Sequence, residues 1–382
     1  MTNPQLTPVQ LAEKLRAAGF SIHNPIDEQI AIITADLGPA VVIAGAGSGK
    51  TETMSQRVLY LVANGIVRPD EILGLTFTRK AAGELAARMR LRLRQLRAAG
   101  GLPNDSLTGL PLDINVNVAT YNSYAARVLG EHGLRLGLDN DTPTLGEAAA
   151  YQIAAQIVEN YAPENGAIFN RRASGIISRV MRLSADIAEH GTSIEAVEEF
   201  TTGVLHQYRS LTGKSYVAVA SAIEVLEERL AILPLVREFD NYRIQNSALM
   251  FSDQLAQAAV LVEKYPEIGA SERHKYKVVI LDEYQDTSYS QVRLLSTLFG
   301  AGHPVTAVGD PNQAIYGWRS ASAQTLDAFP EDFASNSPVP CQKFTLLTTW
   351  RNDAKILSLA NRAIDEIAVS YTHLTLPTIY SV

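Results

Sequence analysis

Cysteine occurs once in the 382 residues, at Cys341, with no Cys or His near it at metal-ligand spacing. That excludes an internal disulfide and the common zinc motifs, and it points to a reducing compartment. No run of about 18 apolar residues occurs anywhere, and the first ten residues show no basic patch ahead of an apolar stretch. Neither a membrane span nor a secretory leader is expected, and a cytoplasmic location follows. Fixed-period repeats and low-complexity linkers are also missing, which argues against a solenoid or a tethered array. What is present is ordinary for a globular chain: 46% hydrophobic and 19% charged residues, in a length that allows two or three domains, each able to bury its own core.

The formal net charge of −7 speaks weakly against a nucleic-acid partner. Its distribution says more. Between residues 79 and 97, Arg79, Lys80, Arg88, Arg90, Arg92, Arg94 and Arg97 face one acid, Glu84. Such a stretch is either a solvated helix face or a surface that tracks phosphates.

Thr7-Pro8 is an N-cap and first-turn pair, and helical patterning follows it to Gly19. After Asn24-Pro25, a second helical stretch leads to the β-branched run 40–43, of the kind buried on both faces of a parallel sheet. Similar runs stand at 72–77, 115–119, 277–281, 305–308 and 344–347, mostly with helical stretches between them. This alternation predicts an α/β fold with a doubly wound parallel sheet. Residues 130–243 interrupt it with Ala-rich helical patterns and no clear strand, for example at 146–160, 176–189 and 217–230. They are expected to form a helical insert, which leaves the α/β domain discontinuous, from 1–129 and 244–340.

Ala44-Gly45-Ala46-Gly47-Ser48-Gly49-Lys50-Thr51 lies between the first strand and a helix. Exposed backbone N–H groups and the positive end of the helix dipole meet there, as an anion site requires. Glycines let the chain curl around a triphosphate, Lys50 can reach the β and γ phosphates, and the Thr51 hydroxyl can coordinate Mg²⁺. The general motif has Gly where this chain has Ala44. The second half of a nucleotide site is an acid at a neighbouring strand end, and Asp282-Glu283 supplies two after 278–281. Asp282 is expected on Mg²⁺, and Glu283 is placed to deprotonate an attacking water.

Asp282-Glu283-Tyr284-Gln285-Asp286, followed by the run 308–319, resembles the superfamily 1 helicases of the UvrD/Rep/PcrA group over about residues 24–365. The resemblance implies a RecA-like P-loop NTPase domain, and its phosphate loop also begins with Ala. By position, Gln29 resembles the adenine-reading glutamine, which implies ATP. Phe77, Thr78 and Arg79, and Tyr121 in a second segment, resemble the residues that hold single-stranded DNA. Asn122 stands where the family has His. Gln313 resembles the γ-phosphate sensor, with Tyr316, Trp318 and Arg319 on the DNA side of the same motif. Trp350 takes the place of a Tyr that stacks on adenine, and Arg351 that of an arginine on the γ-phosphate. Tyr284 is equally readable as core. The segment 251–255 resembles the end of the family's inserted subdomain, and no chemistry is assigned to it.

The resemblance further implies ATP-driven 3′ to 5′ movement on single-stranded DNA, with unwinding at duplex junctions in repair or recombination. Two further readings stay open: an ATP-dependent nucleic-acid-binding module without motor activity, and the motor part of a helicase-nuclease. Residues 341–369 are expected to begin a second RecA-like domain, whose further motifs do not follow. The uncharged, Thr-rich residues 371–382 read as foreign to the protein. On this reading the chain is a front half that binds nucleotide weakly by itself.

Overall fold

A computed structural model describes residues 6–104, 112–138, 144–161, 172–210, 217–246, 248–250, 253–316, 324–335 and 337–364. The chain divides into two compact units, one built from 1–124 and 262–382, the other from 125–261.

The first unit opens with helix α1 (Pro8–Ala17), where Thr7 and Gln10 cap each other reciprocally. Helix α2 (Asp27–Ile33) leads into strand β1 (Ala40–Ala44), and helix α3 (Lys50–Ala63) follows the glycine-rich loop. Next come β2 (Ile72–Thr76), α4 (Arg79–Ala98) and β3 (Asn117–Thr120). The chain leaves this unit within α5 (Tyr121–His132).

In the second unit, helices α6 (Glu147–Asn160), α7 (Ala173–Glu189), α8 (Ile194–Ser210) and α9 (Val217–Gln245) accompany a two-stranded sheet, β4 (Thr144–Leu145) with β5 (Leu249–Met250). These strands are two residues each, too short for any alternation to announce them. Helix α9 runs through Pro234, past the end at 230 that patterning suggested. An internal proline costs a helix about 3 kcal/mol. Burial of Ile232, Leu235, Val236 and Phe239 beside α6 and α7 offsets it. Asp253 is buried, and its carboxylate receives the Met250 N–H and pairs with Arg243 at 2.7 Å, a structural task. Phe251 and Ser252 lie outside the described residues.

The chain returns within α10 (Asp253–Lys264) and continues through α11 (Pro266–Lys275), β6 (Val278–Leu281), α12 (Tyr289–Phe299), β7 (Val305–Gly309), α13 (Thr325–Ala334), β8 (Gln342–Leu346) and α14 (Ala354–Ile364). Six strands form one parallel sheet in the order β3-β2-β6-β7-β1-β8. Strands β2, β6 and β7 are buried throughout, which explains their largely apolar composition. Val42, Ile72, Val278, Ile280 and Val308 join the core that includes residues of α1, α3 and α4, while α13 packs against β1 and β7.

One expectation is corrected here. The strand thought to open a second domain lies along β1 in register from Ala40–Gln342 to Ala44–Leu346, and it completes this sheet. A strand's own pattern shows that it pairs, and says nothing about which sheet it joins. The tail at 370–382 lies outside the described residues. No described helix is long and apolar enough to cross a membrane.

Candidate functional site

Parallel strands all end on one side of their sheet, and in open α/β sheets ligands bind beyond those carboxyl ends. Here the loops after β1, β2, β6, β7 and β8 hold nearly every residue singled out in the sequence.

After Ala44 the backbone turns through Gly47 at φ 78° and Gly49 at φ 87°, and α3 begins at Lys50. L-residues rarely adopt this conformation, so glycine is required. The Ser48 hydroxyl donates to the Gly45 carbonyl at 2.8 Å and closes the turn. Gln29 sits beside the loop: its Oε1 accepts from the Ile26 N–H, and its Nε2 lies 3.1 Å from where a Cβ on Gly49 would stand.

Lys50 Nζ reaches Glu283 Oε2 at 3.3 Å, and its side chain is only 13% exposed. Glu283 follows β6 in a left-handed conformation at φ 50°. A non-glycine residue held this way costs about 1–3 kcal/mol, and such strain gathers at functional sites. Asp282 is buried. Burial, reinforced by Glu283 and opposed by Lys50, pushes its carboxyl up to about 6. Burial and Glu283 raise Asp286 to about 6 as well. The carboxyl groups of Asp282, Glu283 and Asp286 therefore lie close enough to Lys50 and to each other to interact electrostatically.

Gln285 ties two loops together. Its Nε2 donates to Glu283 at 2.9 Å, and its Oε1 accepts from the Asp310 N–H at 3.0 Å. A Cβ on Gly309 would fall 2.4 Å from that Oε1, so glycine keeps this approach open. Asp310 in turn accepts from Gln313 Nε2 at 2.6 Å. Tyr284 is fully buried, edge-on to Phe329, and belongs to the core.

Beyond β8, residues 347–351 run across the phosphate loop. The Thr349 hydroxyl donates to the Ala46 carbonyl at 2.9 Å, and the Trp350 N–H to the Gly47 carbonyl at 3.1 Å. A Cβ on Gly47 would fall 2.6 Å from Arg351 Cβ. Trp350, 56% exposed, and the exposed Arg351 are thereby carried to the loop that holds Lys50 and Thr51.

After β2, Phe77 meets Tyr316 with ring centroids 4.7 Å apart. Thr78 caps α4 by accepting from the Ala81 N–H, and Arg79 is exposed beside it. Trp318 and Arg319 lie outside the described residues. Tyr121, expected on DNA, is 3% exposed, and its hydroxyl donates to the Asp282 carbonyl at 2.9 Å. Burial raises its hydroxyl well above the ordinary range. It is a buried residue bonded to the backbone just after β6, which takes it out of reach of a strand of DNA. The basic stretch also divides: Arg92 and the exposed Arg88 pair with Glu52 of α3 at 2.6 and 3.8 Å, Lys80 pairs with Glu84, Arg97 donates to the Leu112 carbonyl, and Arg79 and Arg94 are exposed.

A profile of the UvrD/REP helicase N-terminal domain matches residues 26–334. The chain belongs to this family. It is 30% identical over 343 residues to the ATP-dependent DNA helicase UvrD2 of Mycobacterium tuberculosis, covering 88% of this chain and 43% of that protein. A probable DNA helicase of Mycoplasma pneumoniae is 28% identical, covering 89% and 56%, and the ATP-dependent DNA helicase PcrA of Staphylococcus aureus is 26% identical, covering 90% and 40%. The chain thus spans about half the length of the relatives it matches.

Membership in a helicase family implies nucleotide use, typically with a divalent metal. Among the described residues no cluster of three or more His, Cys, Asp or Glu could hold a metal ion alone. Mg²⁺ is usually held by one or two carboxylates with substrate phosphates and waters completing its shell, and Asp282 with Thr51 suits that arrangement.

Sequence reasoning gave no role to four residues that the structure ties to these loops. Glu28 accepts from the N–H groups of Leu347 and Thr348. Buried Arg57 donates to the carbonyls of Ile32, Ile33 and Ala35, closing the end of α2. Glu52 and the bridging Gln285 complete the set. Their partners lie 22 to 320 residues away for Glu28 and Arg57, so no local spacing marks them.

Proposed function

We propose that this chain is the ATP-binding part of a DNA motor that hydrolyses ATP to move 3′ to 5′ along single-stranded DNA and to unwind duplex junctions. The observation that carries the reading is the chain of hydrogen bonds from Lys50 through Glu283, Gln285 and Asp310 to Gln313, three residues before the Phe77–Tyr316 pair. A change at the phosphates thus has a direct path to the aromatic surface.

In this reading Gln29 faces the adenine and Trp350 stacks on it. The amides of 45–51 and Lys50 hold the phosphates, while Thr51 and Asp282 hold Mg²⁺, which supplies charge neutralisation when bound. Glu283 takes a proton from water as its oxygen bonds to the γ-phosphorus, and the bond to the β-phosphate oxygen breaks to release ADP. Gln313 senses the γ-phosphate, and Arg351 stabilises charge spreading over the transferred group. Phe77 and Tyr316 offer stacking faces, worth about 1–3 kcal/mol per base and indifferent to base identity, as a motor on all sequences requires. Thr78 and Arg79, at the start of α4, suit the strand's phosphates. By their place in the sequence, after Tyr316 in the same motif, Trp318 and Arg319 are proposed as further DNA contacts.

The test uses the protein that carries this chain. Lys50→Ala should lose nucleotide binding, and Glu283→Gln should bind ATP without turnover. Phe77→Ala should weaken single-stranded DNA binding by roughly 5- to 100-fold. Strand displacement should require hydrolysable ATP. Equal displacement with a non-hydrolysable analogue would replace the motor by a binding module.

A further inference from the structure

Glu28 stands in the first turn of α2, next to Gln29, and takes no part in the assignments above. Its Oε2 accepts the Leu347 N–H at 3.0 Å and the Thr348 N–H at 3.3 Å, and its Oε1 accepts the Thr348 hydroxyl at 3.3 Å. The next two residues bond to the phosphate loop, Thr349 to Ala46 and Trp350 to Gly47. Residues 347–350 are therefore held from both sides, by a carboxylate on α2 and by the loop backbone. Arg351 follows without any such bond of its own backbone to the loop among those described, so its place depends on the four residues before it.

We propose that Glu28 is a positioning residue for γ-phosphate recognition, setting Arg351 and Trp350 over the phosphate loop through the backbone of residues 347–348. The proposal rests on the nucleotide reading above. Three properties favour it over a purely structural bond. A carboxylate accepts hydrogen bonds more strongly than a neutral group, so it can hold a segment that has few other anchors. Its two oxygens together accept three hydrogen bonds from residues 347–348, so the anchor is multiple. And α2 also carries Gln29, so one helical turn sets both the base-facing amide and the γ-phosphate-facing arginine, and the distance between those two ends of a nucleotide is fixed by a single element.

The experiment compares binding of ATPγS and ADP to the 382-residue chain by calorimetry, with Trp350 fluorescence as a second signal. Glu28→Ala should reduce the preference for ATPγS over ADP by roughly tenfold, the scale of one lost charged hydrogen bond. It should do so by the same factor as Arg351→Ala, and the double variant should lose no more than either single one. Glu28→Gln retains one acceptor oxygen and should stay within about threefold of the parent. A purely structural role would weaken both nucleotides equally, and that outcome, or an unchanged preference in Glu28→Ala, overturns the proposal. If Glu28→Ala does not fold, Glu28→Gln with hydrogen exchange at the Leu347 and Thr348 amides decides it, since unchanged protection alongside a lost preference also overturns it. Lys50→Ala that leaves both affinities intact would instead overturn the nucleotide reading itself.

Discussion

Gly47→Ala separates the cost of a backbone conformation from the cost of displacing the segment that crosses the phosphate loop. A Cβ at φ 78° strains the backbone by about 1–2 kcal/mol. The same Cβ would stand 2.6 Å from Arg351 Cβ and 2.7 Å from Thr349 Oγ1, far inside ordinary contact, so residues 349–351 must move. Moving them breaks the bonds from Thr349 to Ala46 and from Trp350 to Gly47, at about 1 kcal/mol each. The total is roughly 3–4 kcal/mol. Gly19→Ala supplies the control, because Gly19 has φ 87° with nothing within 4 Å of the built Cβ and incurs the backbone cost alone. Urea unfolding of both variants should show Gly47→Ala to be the more destabilised, by about 2 kcal/mol. Hydrogen exchange should show lost protection at the Trp350 amide in that variant only. Equal stabilities with an unchanged Trp350 amide would refute the placement of this segment over the loop.

Arg57→Met should lower stability by about 3–5 kcal/mol in thermal unfolding, since it leaves three carbonyls at the end of α2 without their donor. Tyr121→Phe should cost about 1 kcal/mol through its lost bond to Asp282 and leave single-stranded DNA affinity unchanged, which fluorescence anisotropy can check. Asp282 and Asp286 titrate near 6, above the roughly 3.9 of an unfolded Asp. A folded state that binds protons more tightly than the unfolded one is stabilised by them: the contribution is complete below about 4 and lost as pH rises through about 6. In metal-free buffer, melting temperatures between pH 7 and 5 should therefore show a gain that shrinks in Asp282→Asn.

The parts of the site that could be read in advance are those whose chemistry needs particular residue types side by side. A phosphate loop needs its glycines, lysine and threonine in one turn, and Asp282-Glu283 needs only a strand end before it. The strands were legible for a similar reason, since burial on both faces leaves short runs that are mostly apolar. The misreadings share a cause too. Tyr121 lies next to an exposed Asn122, and only the packing of α5's first turn against β6 shows that its hydroxyl is directed inward. Of the seven basic residues at 79–97, two pair with Glu52, and only the packing of α3 placed that acid opposite Arg88 and Arg92.

Sequence alone thus pointed to the class of chemistry, because a glycine-rich loop with its lysine, a paired acid and their strand ends are local patterns that contiguous residues carry. Tertiary structure decided how those pieces are connected: which sheet β8 joins, which carboxylate anchors residues 347–348, and which amide links Glu283 to Asp310. These are pairings between segments far apart in the chain, made by single side chains with ordinary neighbours. A hydrogen bond is specified by where its two ends meet in space, and only the folded sheet brings Glu28 to Thr348 across 320 residues.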